Sequence, residues 1–116
     1  MSLFVHFERD EFACKETGEN LIEDQFIHRL DELRERCGFP FVITSGYRSP
    51  DHTIEAAKVT PGQHTTGRAA DIAVNGGVQR YTLLREAFDM GFSGIGVHKD
   101  FIHVDERMSQ PVSWPY

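Results

Sequence analysis

Gln63-His64-Thr65-Thr66-Gly67-Arg68-Ala69-Ala70-Asp71-Ile72 runs from a polar turn into an apolar segment and carries an imidazole and a carboxylate with it. From Ala69 to Val74 the chain is compact and apolar on both faces, as in a buried strand, yet Asp71 sits in its middle. A carboxylate is rarely left in such a place without a cation or a set of donors to offset its desolvation. About thirty residues later Gly94-Ile95-Gly96-Val97-His98-Lys99-Asp100-Phe101-Ile102-His103-Val104-Asp105 repeats the case, with His103 inside an apolar run. His64, Asp71 and His103 form a nitrogen, nitrogen and oxygen set, which suits a catalytic zinc ion because it leaves a fourth position free for water. The alternative is a core histidine at 103 and an Asp71 paired with Arg68 or Arg48. Spacing and pattern alone do not choose between the two.

Around these stretches the composition is that of an ordinary globular domain. The chain has 116 residues, enough for one domain with a real core, and a formal charge of -6 with no Lys/Arg cluster. That balance argues against a nucleic-acid binder. No apolar run approaches the length of a membrane span. The start, Met1 to Asp10, lacks the order of a signal peptide, so the expectation is synthesis and retention in a cytoplasm. Cys14 and Cys37 fit reduced thiols there, with a disulfide between them possible but not required.

Outward from the centre, Phe41 to Ser45 reads as a strand launched by Pro40 and ended at Gly46. Arg48 leaves its end, well placed to meet a carboxylate with its bidentate fork, or else simply a surface arginine in a loop. Upstream, Phe4, Phe7 and Phe12 anchor an N-terminal segment with Ser2 and Asp10 as turn or cap candidates and a short helical turn at Glu8 to Glu11. Asn20 is the expected cap of a helix whose apolar face carries Leu21, Ile22, Phe26, Ile27, Leu30, Leu33 and Cys37, with Gly38 as the stop. Asp51 to Lys58 suits a short helix, and Val59 to Gly62 a turn. Val78 to Met90 reads as a second long helix with Tyr81, Leu84, Ala87 and Phe88 facing inward. Gly94–Val97 and Phe101–Asp105 then form a hairpin by length, and Trp114, between Pro111 and Pro115, packs as a lid over one edge. Helix, strand, strand, helix and hairpin do not give a regular βαβ alternation. The expected class is α+β: one domain, residues 1–116, with a small, largely antiparallel sheet and helices on one side.

Taken together, Ser45-Gly46-Tyr47-Arg48-Ser49-Pro50, His64-Thr65-Thr66-Gly67-Arg68-Ala69-Ala70-Asp71-Ile72, Gly94-Ile95-Gly96-Val97 and His103-Val104-Asp105 resemble the zinc D-Ala-D-Ala carboxypeptidase family of metallopeptidases, in the family's order and from about Phe7 to Trp114. The small phage-encoded and prophage cell-wall hydrolases look most similar. The resemblance implies a fold shared with the Hedgehog signalling domain, zinc held by His64, Asp71 and His103, and a substrate drawn from peptidoglycan stem peptides. It assigns Arg48, with Ser45, Tyr47 and Gln63, to the substrate. Asp100, three positions before the last ligand, takes the place of the general base. Regular strand geometry would put Asp100 opposite His103, but a hairpin turn need not be regular. Asp105 would orient an imidazole, and His98 is the alternative proton shuttle. Two positions depart from the pattern: Gly62 where relatives often have serine, and His98 where an aromatic such as tyrosine is common. The implied protein is a monomer that meets the wall after lysis, delivery or as part of a phage. The competing expectation is a zinc-bearing binding or phage structural module that has lost catalysis.

Overall fold

The computed structural model describes residues 4–58 and 62–116. In chain order the elements are a 3-10 turn at Arg9–Phe12, α1 (Asp24–Cys37), β1 (Ile43–Ser45), α2 (Thr53–Ala56), a 3-10 turn at Gln63–Thr66, β2 (Ala69–Ala73), α3 (Gly76–Met90), β3 (Gly94–Val97), β4 (Phe101–Asp105) and β5 (Val112–Pro115). Ser2 and the Val59–Pro61 part of the expected turn lie outside the described residues.

The strands form one sheet in the order β1-β2-β4-β3-β5. Every pairing is antiparallel except β3 with β5. The class is therefore α+β with a mixed, mostly antiparallel sheet. Alternation along the strands divides its two faces. Ala70, Ile72, Ile95, Ile102 and Val104 join Phe26, Ile27, Leu30 and Leu33 of α1 and Leu83, Ala87 and Met90 of α3 in one buried cluster. Burying each large side chain of that kind contributes about 1.5–3 kcal/mol, so both helices are held to the same face. The opposite face carries Asp71, His103 and Asp105, because i and i+2 in a strand share a side.

Several expectations change. Asn20 does not cap α1: its side-chain oxygen accepts from the Ile22 amide at 3.2 Å, and its amide group donates to the Arg9 carbonyl at 2.9 Å. The segment before the helix stays extended, with the Glu23 amide donating to the Gly67 carbonyl at 2.9 Å. Leu21 is consequently 60% exposed, while Ile22 is buried. The first 3-10 turn is capped by Glu8, whose amide donates to the Glu11 carboxylate, and not by Asp10. In α3, Tyr81 and Phe88 face outward, and Leu83, Ala87 and Met90 make the buried stripe. The tail is a fifth strand rather than a lid laid over an edge. Both long helices end where expected, at Gly38 and Gly91. Cys14 and Cys37 are free thiols, the first buried and the second partly so.

Candidate metal centre

Antiparallel pairing sets Asp71 directly opposite His103, and Ala69 opposite Asp105. His64 arrives from the 3-10 turn just before β2. That turn is tied by the Thr65 hydroxyl to the Gly62 carbonyl (2.7 Å) and the Thr66 hydroxyl to the Gln63 carbonyl (2.6 Å). The Arg48 amide donates to the His64 carbonyl at 3.0 Å, which fastens the turn to the end of β1. His64, Asp71 and His103 converge as one buried cluster able to hold a metal ion.

Three atoms meet at its centre. His103 Nδ1 lies 3.0 Å from Asp71 Oδ1 and 3.2 Å from His64 Nε2, and His64 Nε2 lies 3.3 Å from Asp71 Oδ1. Ligands at about 2.0–2.1 Å from a tetrahedral ion stand roughly 3.3 Å apart, so the spacing already matches such a site.

The outer edges of the rings fix their tautomers. His64 Nδ1 is 2.8 Å from the Gly46 carbonyl, which can only accept, so that nitrogen carries the proton and Nε2 presents a lone pair. His103 Nε2 is 2.6 Å from Asp105 Oδ2 and donates to it, leaving Nδ1 as the inward atom. Two lone pairs and a carboxylate oxygen thus face one another with no donor between them. A cation answers that arrangement, and the set fits a metal with one open position. The other explanation of Asp71 does not hold, since Arg48 pairs with Glu55 (3.1 Å) and Arg68 with Glu23 (3.5 Å).

The carboxyls at the site are held ionised. Burial pushes the Asp71 carboxyl up, but the neighbouring His103 and His64 imidazoles outweigh it and bring the value down to about 2. Asp105 behaves alike: burial is overcome by His103 and Arg107, and it also ends at about 2. Its partners are close, with Arg107 Nη2 at 2.7 Å and Nε at 3.0 Å. Asp105 fits only because residue 94 is glycine. A Cβ there would collide with the Asp105 carboxylate itself.

Asp105 therefore orients His103 from behind. Replacing it by Asn keeps the size but loses the charge-assisted bond, and metal affinity should fall about 10–100-fold. Competition with a chromophoric chelator measures this; an unchanged affinity would make Asp105 a packing residue.

A β-bulge places Ser45. Ile43 pairs with Ile72 on the core side, yet Ser45 pairs with Asp71, so the extra residue turns Ser45 to the other face. Its hydroxyl accepts from Arg48 Nε at 3.2 Å, and Arg48 Nη1 donates to Glu55 at 3.1 Å. Arg48 is thereby held beside the cluster with its side chain 18% exposed. Gln63 sits next to His64 and is half-buried. Tyr47 is buried in the core cluster instead, 3% exposed.

Asp100 and His98 stand apart from the three-atom centre. The Asp100 amide donates to His98 Nδ1 at 3.0 Å, its carbonyl accepts from Val74, and its carboxylate is 72% exposed. His98 stacks on Phe101 at 4.4 Å, on the strand face shared with His103.

Sequence reading missed Glu55. Its side chain is fully buried between Arg48, Lys58 and the Gly62 amide (2.7 Å), whose donated bonds outweigh burial and keep it ionised below the usual range. It also missed Arg107, whose spacing of two from Asp105 was the available signal.

Compared with known families, residues 5–105 match the family model described as Peptidase M15. No curated protein gives a significant match. M15 peptidases are metal-dependent.

Proposed function

This chain belongs to the M15 peptidase family, and from that premise we propose that it is a zinc-dependent peptidase hydrolysing amide bonds in peptidoglycan stem peptides. The observation that carries the reading is the convergence of His64 Nε2, Asp71 Oδ1 and His103 Nδ1 at 3.0–3.3 Å on the sheet face opposite the helices. Zinc bound there would supply an acidified water and a polarised scissile carbonyl.

The chain's own residues do the rest. His64 and His103 present fixed lone pairs, and Asp105 with Arg107 holds the His103 ring. Arg48, steadied by Ser45 and Glu55, keeps a guanidinium edge for a substrate carboxylate. Asp100 is the proton acceptor of this proposal. Among the described residues its carboxylate has no ion-pair partner nearer than His98 at 4.0 Å. The protein would act as a monomer, reaching the wall after lysis, by delivery or within a phage particle.

One observation favours a second reading. Among the described residues, the only carboxylates touching the cluster are Asp71 and Asp105, one needed as a ligand and the other clamped by His103 and Arg107. A zinc-bearing module without catalysis would look the same. Digestion of purified peptidoglycan, followed by mass spectrometry of the products, separates the two. New termini within stem peptides are expected, and an unaltered wall would favour the binding module.

Arg48→Ala should leave zinc content intact and lower kcat/KM on wall peptides about ten- to a hundred-fold, the size of one charge-assisted contact. Unchanged turnover on every peptide tested would make Arg48 a structural residue.

A further inference from the structure

Beside the metal cluster, the end of the sheet carries a group of half-exposed aromatic rings. The Tyr116 ring lies 4.9 Å from Phe101, 6.1 Å from His103, 6.2 Å from Trp114 and 6.4 Å from His98, measured between ring centroids. Its backbone is fixed, since the Tyr116 amide donates to the Val97 carbonyl at 2.8 Å as a continuation of the β3–β5 pairing. Gly96 makes room for it. A Cβ at that position would come within 2.8 Å of both the Trp114 indole and the Tyr116 ring. The two rings therefore lie on the sheet face that carries His103.

The ring thus stands beside His103 at the edge of the cluster. Burial raises the Tyr116 phenol most, Asp71 raises it further, and Arg48 opposes them without reversing the shift, so that it ends at about 12. It is a proton-bearing donor at neutral pH, and among the described residues it has no hydrogen-bond acceptor.

We propose that Tyr116 is a catalytic residue whose hydroxyl donates a hydrogen bond to the scissile carbonyl oxygen as that oxygen gains negative charge. This rests on the peptidase reading above. The balance is that of ordinary amide hydrolysis: the water oxygen bonds to the carbonyl carbon, the carbonyl π pair moves to oxygen, and the water proton passes to the base. When the C–N bond breaks, the amine takes a proton. The phenol keeps its own proton throughout and acts only as a donor in a partly dehydrated site, where such donors count for more than in water.

The test is Tyr116→Phe, which removes one oxygen and keeps the ring packing. Three quantities are measured on wild type and variant: zinc content, kcat and KM on wall peptides, and calorimetric affinity for a phosphinate analogue of D-Ala-D-Ala, which mimics the charged tetrahedral oxygens. Loss of one such donor should lower kcat about a hundred-fold with little change in KM, and weaken the phosphinate by about ten-fold or more. Zinc content should not change. A variant equal to wild type in rate and phosphinate affinity overturns the inference, and so does one that loses zinc, which would make the hydroxyl structural. If the wild type neither hydrolyses wall peptides nor binds the phosphinate, the peptidase reading itself has failed and Tyr116 falls with it.

Discussion

His64→Ala, Asp71→Ala and His103→Ala should each yield a protein without its metal and without measurable hydrolysis, whereas the parent should carry about one zinc ion per chain. The effect is expected to be near total because the three atoms act as one unit. Each lies within 3.3 Å of the other two, so removing any one leaves a two-ligand site. His103→Ala should be the most severe for the fold as well. It leaves buried Asp71 without the nearer of its two imidazoles and buried Asp105 with Arg107 alone, and a poorly compensated buried charge is costly. Zinc analysis by mass spectrometry and a thermal melt check both parts. Full metal retention in all three variants would remove the ligand assignment.

Asp100→Asn is the second large effect. The substitution keeps size and polarity and removes the basic oxygen, so zinc content should hold while hydrolysis should fall about a hundred-fold or more. His98→Gln, run beside it, should have the smaller effect. A side chain that is 72% exposed on a hairpin turn can reach a bound substrate without disturbing the core. If the Asn variant stays active and the Gln variant is dead, the proton acceptor is the imidazole. If neither change matters in an active enzyme, the acceptor lies elsewhere on the sheet face.

The centre of the molecule was legible because its residues break a pattern. Asp71 and His103 stand out in apolar strands, and the strand period carries them to one face, opposite each other. Other features depend on contacts that a linear reading does not contain. Glu55 looks like a solvated carboxylate on a four-residue helix until Arg48, Lys58 and the Gly62 amide close around it. The start of α1 is delayed to Asp24 because Asn20 and Glu23 spend their groups on Arg9, Ile22 and Gly67 rather than on a helix cap. β5 was hidden by Pro111 and Pro115, which read as breakers. They are tolerated because β5 is an edge strand, with Val112 and Tyr116 supplying amides to Ser93 and Val97. Tyr81 and Phe88 fit a helical stripe on paper, but the sheet meets α3 along Leu83, Ala87 and Met90.

The account turns on a metal held by three specific atoms, and anomalous diffraction at the zinc edge tests it most directly. A crystal of the purified protein should show one strong anomalous peak about 2.0–2.2 Å from His64 Nε2, Asp71 Oδ1 and His103 Nδ1, with the Nε2 edge of His103 still turned to Asp105. A map with no peak there, with a peak at another set of side chains, or with His103 reversed so that Nε2 meets the ion would contradict it.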